Sequence, residues 1–224
     1  MVRLCIFDLD GTLANTLESI AGFANEALAQ CGWKAIEPTS EYRFLVGSGA
    51  DRLIRRMLEH TADRYSEEDV SRLRSVYDAL YLSDPMKNVT EYPGLLPVLQ
   101  RLKKEGILLA VLSNKPDDAA CAVVRGLFPA DLFNVYHGQR EGIPRKPAPD
   151  GALLIAKKLG VAPSDCLYIG DSGVDMDTGR NAGMRTVGVA WGFRGQAELR
   201  EHDACFIAQK PEDLLTFAGV EGDK

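Results

Sequence analysis

From about residue 86 onward the chain alternates short apolar runs with segments of helical periodicity, and this alternation constrains its fold more than any other feature. Helical spacing over residues 95–104 gives way, after Gly106, to the apolar run 107–112. A helix over 117–127, a short strand around 133–136 and a helix over 150–159 follow, then a strand over 166–169, a helix over 174–182 and a strand over 186–190. Continuous apolar runs suit strands buried on both faces, and helices between them supply the crossovers that parallel strands need. The expected core is a parallel sheet covered by helices on both sides.

The N-terminal run Leu4-Cys5-Ile6-Phe7 reads as one more such strand, and it runs directly into Asp8-Leu9-Asp10-Gly11-Thr12. Successive side chains of an extended chain alternate faces, so Asp8 and Asp10 point into the same crevice beyond the strand. Two like charges so close raise the cost of ionising the second, and a hard divalent cation that prefers oxygen ligands removes it. Gly11 permits a tight turn, and Thr12 offers a hydroxyl beside amide donors that a phosphate can accept. The competing reading is an Asp-rich turn that caps the next helix.

Residues 15–85 have a different character. Ile20, Phe23, Ala24, Ala27, Leu28 and Cys31 recur at helical spacing up to Gly32; a second helix is expected over 50–58 and a third from 66 towards 82, opened by Ser66-Glu67-Glu68-Asp69. With no strand expected there, the segment reads as a small all-helical insert. The expected division is a core of residues 1–14 and 86–224 and a helical unit of 15–85. Gly47 and Gly49 precede a helix whose N-terminus suits an anion, with Arg52 one turn in, although an ordinary glycine-rich helix entry explains them equally.

A formal charge of −6 over 224 residues, with no long basic run, argues against a nucleic-acid partner, so an anionic ligand must be held by local groups. No segment approaches the roughly 20 apolar residues that span a bilayer, and the N-terminus shows no leader pattern. Five scattered cysteines without a Cys-x-x-Cys pair read as buried thiols in a reducing compartment. A cytoplasmic protein without membrane partners, monomeric or homodimeric, is expected.

In parallel sheets ligands sit beyond the carboxyl ends of the strands. Here those ends carry Asp8 and Asp10, then Ser113-Asn114-Lys115, then Gly170-Asp171-Ser172-Gly173-Val174-Asp175, with Arg145-Lys146-Pro147 before a helix. Each has a plain alternative as turn, cap or solvated loop charge. Their shared rim is what phosphoryl transfer needs, since positioning and charge neutralisation do most of its work.

These residues resemble, in order, the four motifs of the haloacid dehalogenase-like superfamily: Asp8-Leu9-Asp10-Gly11-Thr12, Ser113-Asn114, Lys146-Pro147, and Gly170-Asp171 followed by Asp175. Val46-Gly47-Ser48-Gly49-Ala50, Ser113-Asn114-Lys115-Pro116 and Val189-Ala190-Trp191-Gly192-Phe193 are similar to the phosphoglycolate phosphatases of that superfamily. The resemblance implies an α/β fold with a Rossmann-like three-layer α/β/α core and a helical cap domain inserted after the first strand. It implies a phosphatase that hydrolyses a small phosphate monoester through an aspartyl phosphate, with Asp8 as nucleophile. Mg²⁺ would be held by Asp8, the backbone carbonyl of Asp10, Asp171 and Asp175. Asp10 would act as general acid and base, starting protonated as its acidic neighbours favour; Lys146, Ser113, Asn114 and Thr12 would bind the phosphoryl oxygens, and Gly47, Gly49 and Arg52 would serve the substrate from the cap.

Other readings share parts of this pattern. A phosphomutase of the β-phosphoglucomutase type, a pyrophosphatase or a nucleotidase would use the same core motifs. A receiver domain uses similar acids but is shorter and has no helical insert, and a binding protein could retain the scaffold without the chemistry.

Overall fold

The computed structural model describes residues 1–220. In chain order the elements are β1 (Leu4–Phe7), β2 (Ala14–Asn15), α1 (Leu17–Gln30), α2 (Tyr42–Leu45), α3 (Ala50–Thr61), α4 (Glu67–Ser83), β3 (Thr90–Glu91), α5 (Leu95–Lys104), β4 (Leu108–Pro116), α6 (Asp117–Leu127), β5 (Val135–Gln139), α7 (Asp150–Lys158), β6 (Cys166–Gly170), α8 (Gly173–Asn181), β7 (Arg185–Val189), α9 (Gln196–Glu201), β8 (Phe206–Ala208) and α10 (Asp213–Ala218).

Six strands form one parallel sheet in the order β5-β4-β1-β6-β7-β8. Alternation along β1 divides the core. Cys5 and Phe7 join the cluster that includes Leu99 of α5, Val123 of α6 and Leu214 of α10. Leu4 and Ile6 face the other layer, with Ala152 and Ile155 of α7 and Tyr168 of β6. The three-layer α/β/α architecture follows from this two-sided burial.

The chain leaves β1 toward β4 and β5 on one side, then returns to build β6, β7 and β8 on the other. The strand order therefore reverses beside β1, where parallel sheets open a crevice at their carboxyl ends. Phe7 pairs with both Val111 and Ile169, so β1 and β6 end within one residue of each other, while β4 runs on past them to Pro116.

Helices α1 to α4 form a separate apolar cluster around Phe23, Leu28, Tyr42, Ile54, Met57 and Leu73. Helix α4 begins at Ser66 with a reciprocal capping box to Asp69. Where the chain leaves for the insert and returns from it, β2 and β3 pair antiparallel with each other as a separate two-stranded ladder. This short ladder includes Asn15 and departs from the strand-free reading of 15–85; two residues are too few to leave a period in the sequence. No helix among the described residues is long and apolar enough to cross a membrane.

Candidate active site

The crevice at the carboxyl end of β1 collects three acids and a lysine, all buried. Asp8 follows β1 directly, Asp171 follows β6, and Asp175 lies in the first turn of α8. Their carboxylates offer oxygens that all lie within 4.8 Å of one another. Lys146 reaches them with its ammonium 2.8 Å from Asp8 Oδ1 and 2.7 Å from Asp175 Oδ1. Asp175 Oδ2 also accepts from the backbone N–H and hydroxyl of Ser172, and Asp171 Oδ2 accepts from the Phe193 N–H at 2.7 Å.

Glycines make room for this cluster. A Cβ at Gly11 or Gly192 would run into Asp171, and one at Gly170 would run into Asp175. The Gly192→Ala protein is therefore expected to displace Asp171, at a cost of about 1–3 kcal/mol. Its divalent-metal affinity should fall at least about tenfold, as for other disturbed ligand shells. Calorimetric titration with Mg²⁺ or Mn²⁺ checks this, and wild-type affinity would refute it.

The electrostatics are those of a cation-binding site. Burial, with Asp175 beside it, pushes the Asp8 carboxyl up to about 7, and the same causes hold Asp171 well above the usual carboxylate range. Burial alone would discharge Lys146, but Asp175 and Asp8 outweigh it and keep the ammonium charged. One ammonium against three carboxylates leaves excess negative charge. Asp8 Oδ1 is moreover buried without a directed hydrogen bond. A hard divalent cation with oxygen ligands fits this donor set.

Asp10 turns elsewhere. Both its carboxylate oxygens lie 2.9 Å from the Lys115 ammonium, and Oδ1 also accepts from Thr16 at 2.8 Å. Its side chain stands outside the three-carboxylate cluster, so any metal contact falls to its backbone carbonyl. The charged group its carboxylate touches is the Lys115 ammonium, not another acid.

The remaining sequence-derived residues divide as follows. Thr12 is buried and its hydroxyl has no partner, while Ser113 Oγ accepts from the Lys115 N–H and lines the crevice. Asn114 is a clamp: Oδ1 accepts from the Lys146 N–H, and Nδ2 donates to the carbonyls of Lys146 and Gly47. With both amide hydrogens so engaged, Asn114 presents no spare donor to a phosphoryl group, contrary to expectation. Gly47 and Gly49 line a cavity of about 130 Å³ between the helical insert and the strand ends, together with Asp8, Asp10, Ser113 and Asn114.

Arg52 is exposed and not among the lining residues. Helix α3 buries Leu53, Ile54, Met57 and Leu58, and position 52 falls on the opposite face. Arginine reaches the cavity instead through Arg74 of α4, paired with Asp78 and Asp51. Lys115 is the group the motif reading passed over: its position beside Ser113 and Asn114 was legible, its aim at Asp10 was not.

A parallel α/β sheet whose switch point holds a lysine-braced triad of carboxylates beneath a helical insert defines a class of hydrolases. The chain belongs to the haloacid dehalogenase-like hydrolase family, whose sequence model it matches over residues 5–189. Within that family it is a phosphatase. It is 29% identical to the phosphoglycolate phosphatase of Aquifex aeolicus (strain VF5), an alignment covering 96% of this chain and 95% of that protein. It is 30% identical to the phosphoglycolate phosphatase of Escherichia coli (strain K12), covering 98% and 93%. The crystal structure of a candidate phosphoglycolate phosphatase from Lactobacillus delbrueckii subsp. bulgaricus superposes with a TM-score of 0.91 at 32% identity, covering 96% of this chain and 98% of that one.

Proposed function

We propose that the protein hydrolyses a short phosphorylated acid of the phosphoglycolate kind, with Mg²⁺ as its metal, through a phosphoryl group carried on Asp8. The observation that carries this reading is the convergence of Asp8, Asp171 and Asp175 on one buried point braced by Lys146, at the end of a cavity of only about 130 Å³. Drug-sized ligands occupy pockets of about 300–1,000 Å³, so this space suits a substrate of a few heavy atoms better than a nucleotide or a sugar. The relatives described as phosphoglycolate phosphatases point the same way.

Asp8, Asp171 and Asp175, with the Asp10 carbonyl, would hold the metal, which when bound supplies positive charge against the dianionic phosphoryl group. Asp8 attacks phosphorus and forms the acyl phosphate as the phosphorus–oxygen bond to the alcohol breaks. Lys146 faces Asp8 and offsets the charge of the transferring group; the unpartnered Thr12 hydroxyl and that of Ser113 supply neutral donors to its oxygens. Once its bidentate pair with Lys115 has opened, Asp10 takes up a proton from solvent, gives it to the leaving oxygen, and as the resulting carboxylate takes one from the water that cleaves the acyl phosphate. Residues 15–85 act as a cap domain over the core of 1–14 and 86–224, excluding water from the acyl phosphate. The chain works in the cytoplasm, as a monomer or a homodimer.

The reading is tested by assaying the purified protein with Mg²⁺ against a panel of phosphate esters ranked by kcat/KM. Two- and three-carbon phosphorylated acids should lead, and release of no inorganic phosphate from any ester would sink it. The Asp10→Asn protein should lose roughly 10²–10⁴-fold in kcat, as expected for removal of a general acid. It should keep the thermal shift that Mg²⁺ confers on wild type, because its carboxylate stands outside the acid cluster.

A further inference from the structure

Among the residues lining the cavity the only cations are Arg74 and Lys115. Arg74 lies on a cap helix with its guanidinium committed to Asp78 and Asp51. Lys115 belongs to the core, at the end of β4, and its side chain is only 5% exposed. An ammonium so enclosed carries a desolvation cost that calls for partners. It has the two oxygens of Asp10, and its nitrogen lies over the Tyr81 ring, 4.7 Å from the centroid. That contact crosses from core to cap. The Tyr81 hydroxyl is buried without a hydrogen-bond partner, and Tyr81 also lines the cavity.

Several things follow. Much of the remaining lining is apolar, including Ile20, Leu53, Ala119 and the ring of Tyr77. A neutral leaving group would need no ammonium there. A buried lysine and an unpartnered hydroxyl facing one small space are instead the donors an anionic group requires. Asp10 holds the ammonium, while the Tyr81 hydroxyl stays without a partner.

We infer that Lys115, assisted by the Tyr81 hydroxyl, is the specificity-determining residue that receives a second anionic group of the substrate, a carboxylate borne by the alcohol half of the ester. The inference rests on the reading that the phosphoryl group is bound at Asp8. The substrate carboxylate exchanges places with Asp10 on the ammonium, so binding the correct substrate frees the Asp10 carboxylate to take up a proton from solvent and turn it to the leaving oxygen. An ester without the second charge leaves Asp10 tied to Lys115. Recognition and readiness for proton transfer are thereby joined in one side chain.

The test compares phosphoglycolate with 2-hydroxyethyl phosphate, which has the same carbon skeleton without the carboxylate, in the Mg²⁺-loaded enzyme. Wild type should prefer the carboxylated ester by at least about fiftyfold in kcat/KM, and by up to about 10⁴-fold if the site rejects its analogue as fully as sites built for a polar group do. In Lys115→Met, and in Lys115→Gln should the first not fold, the preference should fall to less than about fivefold, mainly through a raised KM for phosphoglycolate. Tyr81→Phe should reduce it by a smaller factor. Turnover of both esters with a ratio that neither Lys115 variant changes would overturn this inference alone. Turnover of neither ester by wild type would overturn the phosphatase reading and this inference with it. Loss of the preference in Arg74→Gln but not in the Lys115 variants would move the recognition to the cap and overturn the assignment.

Discussion

The Asp8→Asn protein is expected to lose turnover of any phosphate monoester by roughly 10³-fold or more, while its metal-free form becomes more stable. Both effects come from one charge. Asp8 is the first residue beyond β1, is 6% exposed and shares its crevice with Asp171 and Asp175. Burial, and then Asp175, raise its carboxyl to about 7 from an ordinary 3.8. A group whose pKa is raised by folding binds its proton more tightly in the folded state. Its contribution to stability is complete below about 3.8 and is lost as the pH rises through about 7. At pH 8 without metal, wild type therefore bears the cost of an ionised Asp8, and asparagine of the same shape does not. Roughly 1–3 kcal/mol of added stability is expected there, with little difference near pH 4, where the unfolded chain begins to bind the same proton. Chemical denaturation in EDTA at the two pH values measures this. A catalytic loss accompanied by lower stability at both would mark Asp8 as a folding residue instead.

Much of this was legible in the sequence because the relevant signals are local. The run Leu4–Phe7 into Asp8 and Asp10, and the helices at Leu95–Lys104 and Asp117–Leu127, stand where periodicity puts them. The end of the chain was less legible. Helices α9 and α10 have six residues each and β8 has three, with Phe206 only half-buried at the sheet edge, so none is long enough to carry a period. Strand β4 runs on through Pro116, past the last apolar residue Leu112, because pairing with β5 resumes at Gln139 after an irregularity. Motif spacing brought Asp8, Ser113 and Asp171 to one rim, since β1, β4 and β6 are adjacent parallel strands whose carboxyl ends point the same way.

What spacing could not reveal was how the polar groups pair. Asn114 reads as a donor but is spent on the Lys146 backbone and the Gly47 carbonyl. Asp10 reads as one of a cluster of acids but faces a lysine. Arg52 was a different matter. The apolar positions of α3 already assign it to the outer face, so helical periodicity alone would have found it. Pairing across 32 or 105 residues of sequence, by contrast, is decided by tertiary packing.

The Lys146→Met protein should show the largest loss of stability of any single change at the site. Its ammonium is the cation that faces both Asp8 and Asp175, and the side chain is 3% exposed. Methionine keeps most of the volume and removes the charge, leaving Asp8, Asp175 and Asp171 to repel one another in a poorly solvated space. Removing one partner of a buried ion pair costs about 3–5 kcal/mol, against about 0–1 kcal/mol for an exposed pair. The loss should be greater at pH 8 than at pH 5, because Asp8 and Asp171 are held toward their protonated forms and ionise as the pH rises. Two further changes should restore part of it. Mg²⁺ should raise the melting temperature of Lys146→Met by more than it raises that of wild type, because it meets more uncompensated charge. Adding Asp8→Asn should likewise recover stability in the double variant, giving a coupling of opposite sign to the single loss. Activity should not return with stability, since roughly 10²–10³ in kcat depends on a positive charge facing the transferring phosphoryl group. Melting curves with and without Mg²⁺ on the four proteins of this cycle decide the matter: if Lys146→Met melts with wild type in EDTA at pH 8, the lysine does not balance the acid cluster, and the electrostatic account of the site fails with it.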